Sequence, residues 1–174
     1  MKTILLLRHA KSAWGHPGLP DHERPLNHRG ERAAEAMAAH IVRRSPRPDL
    51  ILCSTAVRTR QTLAPLVHLL ATPAPPISLE NSLYLASEPA LLARLQAVAD
   101  DVHSVLLIGH NEGIAELAET LAGRGAPIAL ATLRAKYPTG ALATLRVADG
   151  PWQDLAPGAG ELVSFVRPRD LLGD

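Results

Sequence analysis

The chain opens with the segment TILLLRH at residues 3–9, an uncharged run that ends at Arg8 and His9. Such a continuous run is typical of a strand that is buried on both faces of a parallel sheet. The segments DLILCS (49–54) and SVLLIGHN (104–111) have the same form and are separated from one another by stretches with helical spacing. This alternation predicts an α/β fold, a three-layer sandwich whose mostly parallel central sheet is covered by helices on both faces.

The other helices, strands and loops are predicted from the spacing of apolar residues and from the positions of proline and glycine. Residues 12–28, with three prolines, are expected to form a long loop. Ser54 and Thr55 are helix-capping residue types, so the second helix is expected to begin near them. Helices are expected at 29–44, about 54–70, 90–99 and 112–121, and further strands at 77–79, 141–147 and 162–166. Since no linker interrupts the composition, residues 1–174 are expected to form one domain.

Composition excludes several functional classes. The 174 residues are 47% hydrophobic, and 18 Lys and Arg against 17 Asp and Glu give a net charge of +1. A charge this close to zero gives no support to nucleic-acid binding, and 3% aromatic residues leave little for base stacking. The single cysteine, Cys53, rules out an internal disulfide and a cysteine-rich zinc site. No apolar stretch approaches the roughly 18 residues of a membrane span, so a cytoplasmic protein is expected. His16, His22 and His28 lie close together in sequence but lack a metal-ligand spacing, so neither a metal nor a cofactor is expected.

Chemically useful side chains follow three of the predicted strands. The first ends in Arg8 and His9, the second in Ser54 with Arg58 one helical turn later, and the third in Gly109-His110-Asn111. Ligands of open α/β sheets bind beyond the carboxyl ends of the strands. Arginine offers a planar fork that matches phosphate oxygens, and a neutral imidazole is a competent nucleophile. Each group alone is commonly structural, but their joint occurrence predicts a phosphate site with a histidine nucleophile.

The ordered set of these motifs resembles the histidine phosphatase superfamily, also called the phosphoglycerate mutase-like superfamily. The likeness covers residues 3 to about 168, and several details resemble its small SixA-type phosphohistidine phosphatase branch. The motifs that carry it are Arg8-His9-Ala10-Lys11-Ser12, Asp21-His22-Glu23-Arg24-Pro25-Leu26 with Arg29-Gly30, Ser54-x-x-x-Arg58-x-x-Gln61-Thr62, Gly109-His110-Asn111-x-Gly113 and Pro138-Thr139-Gly140-Ala141.

The resemblance implies a role for each matching residue. His9 would attack phosphorus and form a phosphohistidine intermediate, which water then hydrolyses without a metal. Arg8, Arg58 and His110 would bind the phosphoryl oxygens, and Ser12 is a further phosphate-binding candidate. The substrate would be a phosphorylated molecule, and phosphohistidine on a protein is the expectation.

An acidic proton donor is not apparent in the sequence. Asp21, Glu80 and Glu88 are the nearby candidates, and none falls on a convincing match to the family pattern. Because phosphohistidine already has a good imidazole leaving group whereas an alkyl phosphate needs a general acid, this absence favours phosphohistidine. Two alternatives stay open: a small-molecule phosphomonoesterase of the same superfamily, and a non-catalytic module that binds phosphate or phosphoproteins. The oligomeric state is undetermined.

A rival nucleophile is Cys53, which stands at a strand end with four residues between it and Arg58. The spacing Cys53-x4-Arg58 is one residue shorter than the Cys-x5-Arg loop of cysteine-dependent phosphatases, so a buried structural role is favoured. Lys11, Arg134 and Lys136 are candidates for a cationic rim, and Trp14 for a cover over the site or a packing residue in the loop.

Overall fold

The computed structural model describes residues 1–173, in which seven strands alternate with six helices. The strands are β1 (Lys2–Arg8), β2 (Leu50–Ser54), β3 (Ile77–Glu80), β4 (Ser104–Gly109), β5 (Ala122–Gly125), β6 (Leu142–Val147) and β7 (Gly160–Val166). The helices are α1 (His28–Arg44), α2 (Val57–Leu69), α3 (Glu88–Gln96), α4 (Gly113–Leu121), α5 (Pro127–Ala135) and α6 (Pro168–Leu172).

One sheet contains all seven strands, in the order β3-β2-β4-β1-β6-β7-β5. The pairs β1–β4, β2–β4, β2–β3 and β5–β7 are parallel, whereas β6 runs antiparallel to both β1 and β7. The predicted α/β fold with a mostly parallel sheet is therefore confirmed.

Alternate side chains of β1 point into two hydrophobic cores, one on each face of the sheet. Ile4 and Leu6 belong to a cluster with side chains of α3 and α4, whereas Leu5 and Leu7 belong to a cluster with side chains of α1 and α2. All four are almost completely buried. Successive strand residues point to opposite faces, so an uninterrupted apolar run is what a strand covered on both faces requires.

The structure corrects the predicted start of the second helix. Ser54 is the last residue of β2, and α2 begins at Val57 after Ala56, which makes no side-chain capping hydrogen bond. Residues 122–125, for which no strand was predicted, form the short strand β5. A Cβ atom on Gly123 would lie 2.0 Å from the carbonyl oxygen of Gly158, so only glycine permits this approach. Helices α5 and α6 were not predicted.

Candidate active site

The three strand ends that carry the predicted groups are neighbours in the sheet. Because β4 lies between β1 and β2, the segments that follow these strands meet at one edge. The backbone N–H of His9 donates to the carbonyl oxygen of Gly109 at 3.0 Å. The imidazole rings of His9 and His110 lie 5.3 Å apart, centroid to centroid. The strand order therefore brings these two histidines, 101 residues apart in sequence, into one site.

His9 is buried and held in one orientation. Its Nδ1 lies 2.7 Å from the carbonyl oxygen of Ala10. A carbonyl oxygen only accepts hydrogen bonds, so Nδ1 carries the hydrogen and Nε2 keeps its lone pair. Burial lowers the pKa of His9 to about 4, and the positive charges of Arg58 and Arg8 act in the same direction. At neutral pH the ring is therefore an uncharged base with a free Nε2.

Two guanidinium groups are fixed beside His9 by backbone and carboxylate oxygens. Arg8 Nη1 donates to the carbonyl oxygen of Tyr137 at 2.9 Å. Arg58, which is only 2% exposed, donates from Nη1 to the Asp21 carbonyl oxygen at 2.7 Å and from Nη2 to Asp21 Oδ2 at 2.9 Å. Burial lowers the pKa of Arg8, and the charge of Arg58 lowers it further. Two cations this close in a poorly solvated place favour a bound anion.

Unpartnered nitrogen atoms mark the same place. Within residues 1–173, five buried side-chain nitrogen or oxygen atoms have no hydrogen-bond partner, and three of them are Arg8 Nε, Arg58 Nε and His110 Nδ1. Buried polar groups are rarely left unpaired, and those that are commonly mark a functional site. An oxyanion supplies the acceptors that such nitrogen donors require.

His110 is positioned by the residue that was expected to cap a helix. Its Nε2 lies 2.8 Å from Ser54 Oγ, which accepts from the Ala56 N–H at 3.3 Å and is free to donate its own hydrogen to Nε2. Burial lowers the pKa of His110 to about 3, and His9 and Arg58 add to the effect. Ser54 therefore orients an uncharged imidazole, and the Nδ1 atom of His110 is left for another partner.

Ser12 has a different contact from the predicted one. Its hydroxyl accepts a hydrogen bond from Arg24 Nη1 at 2.6 Å, and the Arg24 guanidinium also stacks on Trp14 at 3.7 Å from the ring centroid. Arg24 lies near enough to contribute to the low pKa of His9. Ser12 thus holds a third arginine at the rim, and direct phosphate binding by Ser12 stays a prediction. Trp14 is 78% exposed, so it does not cover the site in this structure.

Of the three acid candidates, only Asp21 lies at the site. Burial would raise its pKa, but hydrogen bonds from Tyr84, Arg24 and Arg58 outweigh burial and hold the pKa well below the usual range. Asp21 is therefore a permanent carboxylate that anchors Arg58, not a proton donor at neutral pH. Glu80 instead receives two hydrogen bonds from Arg94, at 2.7 and 2.9 Å, and Glu88 lies in the first turn of α3.

Residues for which the sequence predicted no role hold these side chains in place. Thr62 Oγ1 accepts from the Ala10 N–H at 2.9 Å and donates to the Arg58 carbonyl oxygen at 2.7 Å, which ties α2 to the nucleophile loop. The Tyr137 hydroxyl donates to the Leu6 carbonyl oxygen at 2.6 Å. The chain has only two tyrosines, and both Tyr84 and Tyr137 lie beside the site, so their scarcity was a usable signal.

Cys53 faces the core between the sheet and α2, where it is fully buried. Burial raises the pKa of its thiol to about 12, so the group stays protonated and unreactive. Lys11 and Lys136 line a groove beside Arg8, whereas Arg134 does not.

Neither a metal cluster nor a membrane span is found in the part of the chain that the structure describes. In residues 1–173, no three His, Cys, Asp or Glu side chains gather as a group that could hold a metal ion. No helix in that range is long and apolar enough to cross a membrane.

Comparison with known proteins shows the family to which the chain is similar. The sequence model of the histidine phosphatase superfamily (branch 1) matches residues 4–82. An uncharacterised protein of Mycobacterium tuberculosis is 41% identical over 165 residues, which is 94% of this chain and all of the relative.

Two solved structures show the same fold at similar length. A candidate phosphohistidine phosphatase SixA from Nakamurella multipartitia has a TM-score of 0.82 at 31% identity and covers 96% of both chains. A candidate SixA from Agrobacterium tumefaciens has a TM-score of 0.79 at 34% identity, covering 96% of this chain and 99% of that one. The chain therefore belongs to the histidine phosphatase superfamily and to its SixA-type branch.

Proposed function

We propose that the protein is a metal-independent phosphatase that hydrolyses phosphohistidine on a protein through a covalent intermediate on His9. The Nε2 lone pair of His9 attacks phosphorus. The phosphorus–nitrogen bond of the substrate breaks, and the electron pair of this broken bond leaves with the substrate imidazole. Water then attacks the phosphoryl group on His9, the new phosphorus–nitrogen bond breaks, and inorganic phosphate leaves.

One observation carries this proposal: an uncharged His9, with Nε2 free, lies among cations that keep unpartnered nitrogen atoms. Arg8, Arg58 and His110 are suited to bind the phosphoryl oxygens and to stabilise the charge on them during transfer. A module that only binds phosphate needs the arginines but not a histidine whose tautomer is fixed for attack. The geometry therefore favours catalysis over binding alone.

The choice of substrate follows from the acid–base chemistry of the site. Departure of an alkoxide requires a general acid, whereas the imidazole of phosphohistidine leaves readily once its ring is protonated. Asp21, the one acidic candidate at the site, is kept ionised by Arg24, Arg58 and Tyr84. A phosphoramidate is thus better matched to this site than a sugar phosphate. The SixA-like relatives support the same substrate class.

The test is a panel of substrates assayed with EDTA in every reaction. A phosphohistidine peptide, a phosphoserine peptide and p-nitrophenyl phosphate are compared by kcat/KM, and vanadate is added as a competitor. We expect the phosphohistidine peptide to be hydrolysed best, EDTA to have no effect, and vanadate to inhibit, because side chains supply the positive charge.

Other outcomes would replace the proposal with a specific alternative. Faster hydrolysis of the alkyl phosphates would make the protein a small-molecule phosphomonoesterase. Binding of phosphate without turnover of any substrate would make it a binding module. Loss of activity in EDTA that a divalent cation restores would place a metal in the mechanism.

A further inference from the structure

A basic groove lies next to the candidate active site, between α1, α5 and α6. Its volume is about 950 Å³, and Arg8 is the residue that it shares with the site. Six further cationic residues line it: Lys11, Arg29, Arg32, Lys136, Arg167 and Arg169. We propose that this basic groove docks an acidic segment of the phosphoprotein substrate. The inference rests on the proposed function, because it names the part of the substrate that the phosphate site does not contact.

Charge is segregated into this groove. The whole chain is almost neutral, with 18 Lys and Arg against 17 Asp and Glu, yet seven of those cations and no carboxylate line the groove within residues 1–173. Only Arg167 has a carboxylate within 4 Å among the described residues, namely Asp170 at 2.9 Å. Solvated charges on an ordinary surface have both signs mixed. A concentration of unpaired positive charge instead attracts a negatively charged partner.

The stability of α1 does not account for its two groove arginines. Arg29 lies in the first turn and Arg32 one turn later on the same face, close to the end where the helix dipole disfavours positive charge. Both are exposed, and neither makes a salt bridge within residues 1–173. Their presence at this end is better explained by an external anion than by the helix itself.

The position of Arg8 fixes the order of contacts along the substrate. Its guanidinium is held by the Tyr137 carbonyl oxygen, beside His9 on one side and at the wall of the groove on the other. A phosphorylated residue at His9 therefore has its neighbouring chain next to the basic groove. The phosphoryl group and the acidic segment would then be bound on opposite sides of Arg8.

Exposure of the lining cations favours a polypeptide over a small polyanion. Lys11, Arg29, Arg32, Lys136 and Arg169 are all exposed, so their side chains are not fixed in one arrangement. A site for a compact polyphosphate needs donors that packing holds in place. Mobile cations spread along an open groove suit a flexible run of Asp and Glu residues.

Binding is tested with a fluorescein-labelled hexaglutamate peptide, measured by fluorescence anisotropy at low salt. The groove variant Arg29→Gln/Arg32→Gln is compared with the control variant Arg43→Gln/Arg44→Gln, which removes the same charge from the other end of α1. We expect Kd to rise about tenfold in the groove variant and less than about twofold in the control. Equal changes in both variants, or no binding by the unmodified protein, would overturn the proposal. So would binding of inorganic tripolyphosphate without binding of hexaglutamate.

Steady-state kinetics distinguish docking in the basic groove from the chemical step at the active site. Two phosphohistidine peptides differ only in flanking glutamates or glutamines, and p-nitrophenyl phosphate serves as a substrate without flanks. We expect KM to be about tenfold lower for the glutamate peptide, this advantage to vanish in the groove variant, and kcat to stay unchanged. Equal KM values for both peptides in the unmodified protein would contradict docking. If no substrate is hydrolysed but hexaglutamate binding still depends on Arg29 and Arg32, the proposed function fails while the groove keeps its role.

Discussion

His9 and Cys53 stand near the carboxyl ends of two strands of one sheet, β1 and β2, and burial shifts their pKa values in opposite directions. His9 follows β1 and faces the cationic site, where burial lowers its pKa to about 4. Cys53 is the penultimate residue of β2 and faces the core, where burial raises its pKa to about 12. In both cases the low-dielectric surroundings penalise the charged form. The uncharged form of histidine is a nucleophile, whereas the uncharged form of cysteine is not. Burial therefore favours the reactive form of His9 and the unreactive form of Cys53.

The largest effect is expected from His9→Ala. Removal of the nucleophile should lower kcat by at least about 10³-fold, because the intermediate has no atom on which to form. Phosphate and vanadate binding should persist, since Arg8, Arg58 and His110 remain. Rapid base quench during turnover should trap an acid-labile phosphoryl group on the unmodified protein and none on the variant. His68→Ala, a change of an exposed histidine on α2, is the matched control. Substantial turnover by His9→Ala would end the assignment of His9 as nucleophile.

The next effect is on stability at the two ends of the pH range. The folded-state pKa of His9, about 4, lies below the unfolded value of 6.5, so the unfolded chain binds more protons between these values. Stability should therefore fall as pH drops from 7 to 4, by about 3 kcal/mol from His9 alone. Cys53 acts on the alkaline side, because its folded-state pKa of about 12 exceeds its ordinary value of 9.0. The unfolded thiol ionises first, and stability should fall by about 1.4 kcal/mol for each pH unit above 9.

Urea titrations monitored by circular dichroism measure this pH dependence. The acid slope should be shallower in His9→Ala and the alkaline slope shallower in Cys53→Ser. Slopes that match those of the unmodified protein would show that neither group has the shifted pKa on which the comparison depends.

The smallest effect on activity is expected from Cys53→Ser. Because the thiol lies in the core and outside the candidate active site, kcat should remain within about twofold of the original value. A hydroxyl placed in this apolar cluster should lower the free energy of unfolding by about 1–3 kcal/mol. Cys53→Ala provides the control without a buried hydroxyl. A folded but inactive Cys53→Ser protein, together with an active His9→Ala protein, would reverse the roles of the two residues.

The parts of the site that the sequence predicted are those attached to buried strands. Arg8, His9 and His110 directly follow apolar runs, and Arg58 follows a strand by one helical turn. Such runs identify strands, and parallel strands with intervening helices place their carboxyl ends along one edge. Local pattern was therefore sufficient for the groups that meet in the candidate active site.

The supporting residues were not predictable by the same reasoning. Asp21 begins a single turn of 3-10 helix, Asp21–Glu23, in a segment whose sequence shows no periodicity, and it contacts Arg58 across 37 residues of sequence. The carbonyl oxygen of Tyr137 receives Arg8 across 129 residues. The acceptor for His9 Nδ1 is the backbone oxygen of Ala10. Every residue type has such an oxygen, so the type of residue 10 does not identify it as the acceptor. Contacts of this kind depend on the path of the chain in three dimensions.

The central place of β1 has a consequence for synthesis of the protein. β1 is the first strand to leave the ribosome, yet it pairs on one side with β4 and on the other with β6, whose last residue is Val147. His9 is thus translated well before the two strands that flank β1, which end at Gly109 and Val147. At roughly 5–20 residues per second, several seconds pass before the strand can be enclosed. A nascent chain truncated before residue 142 would expose the apolar edge of β1 and lack Tyr137's partner at Ala143, so the site around His9 should be completed only once β6 has been translated.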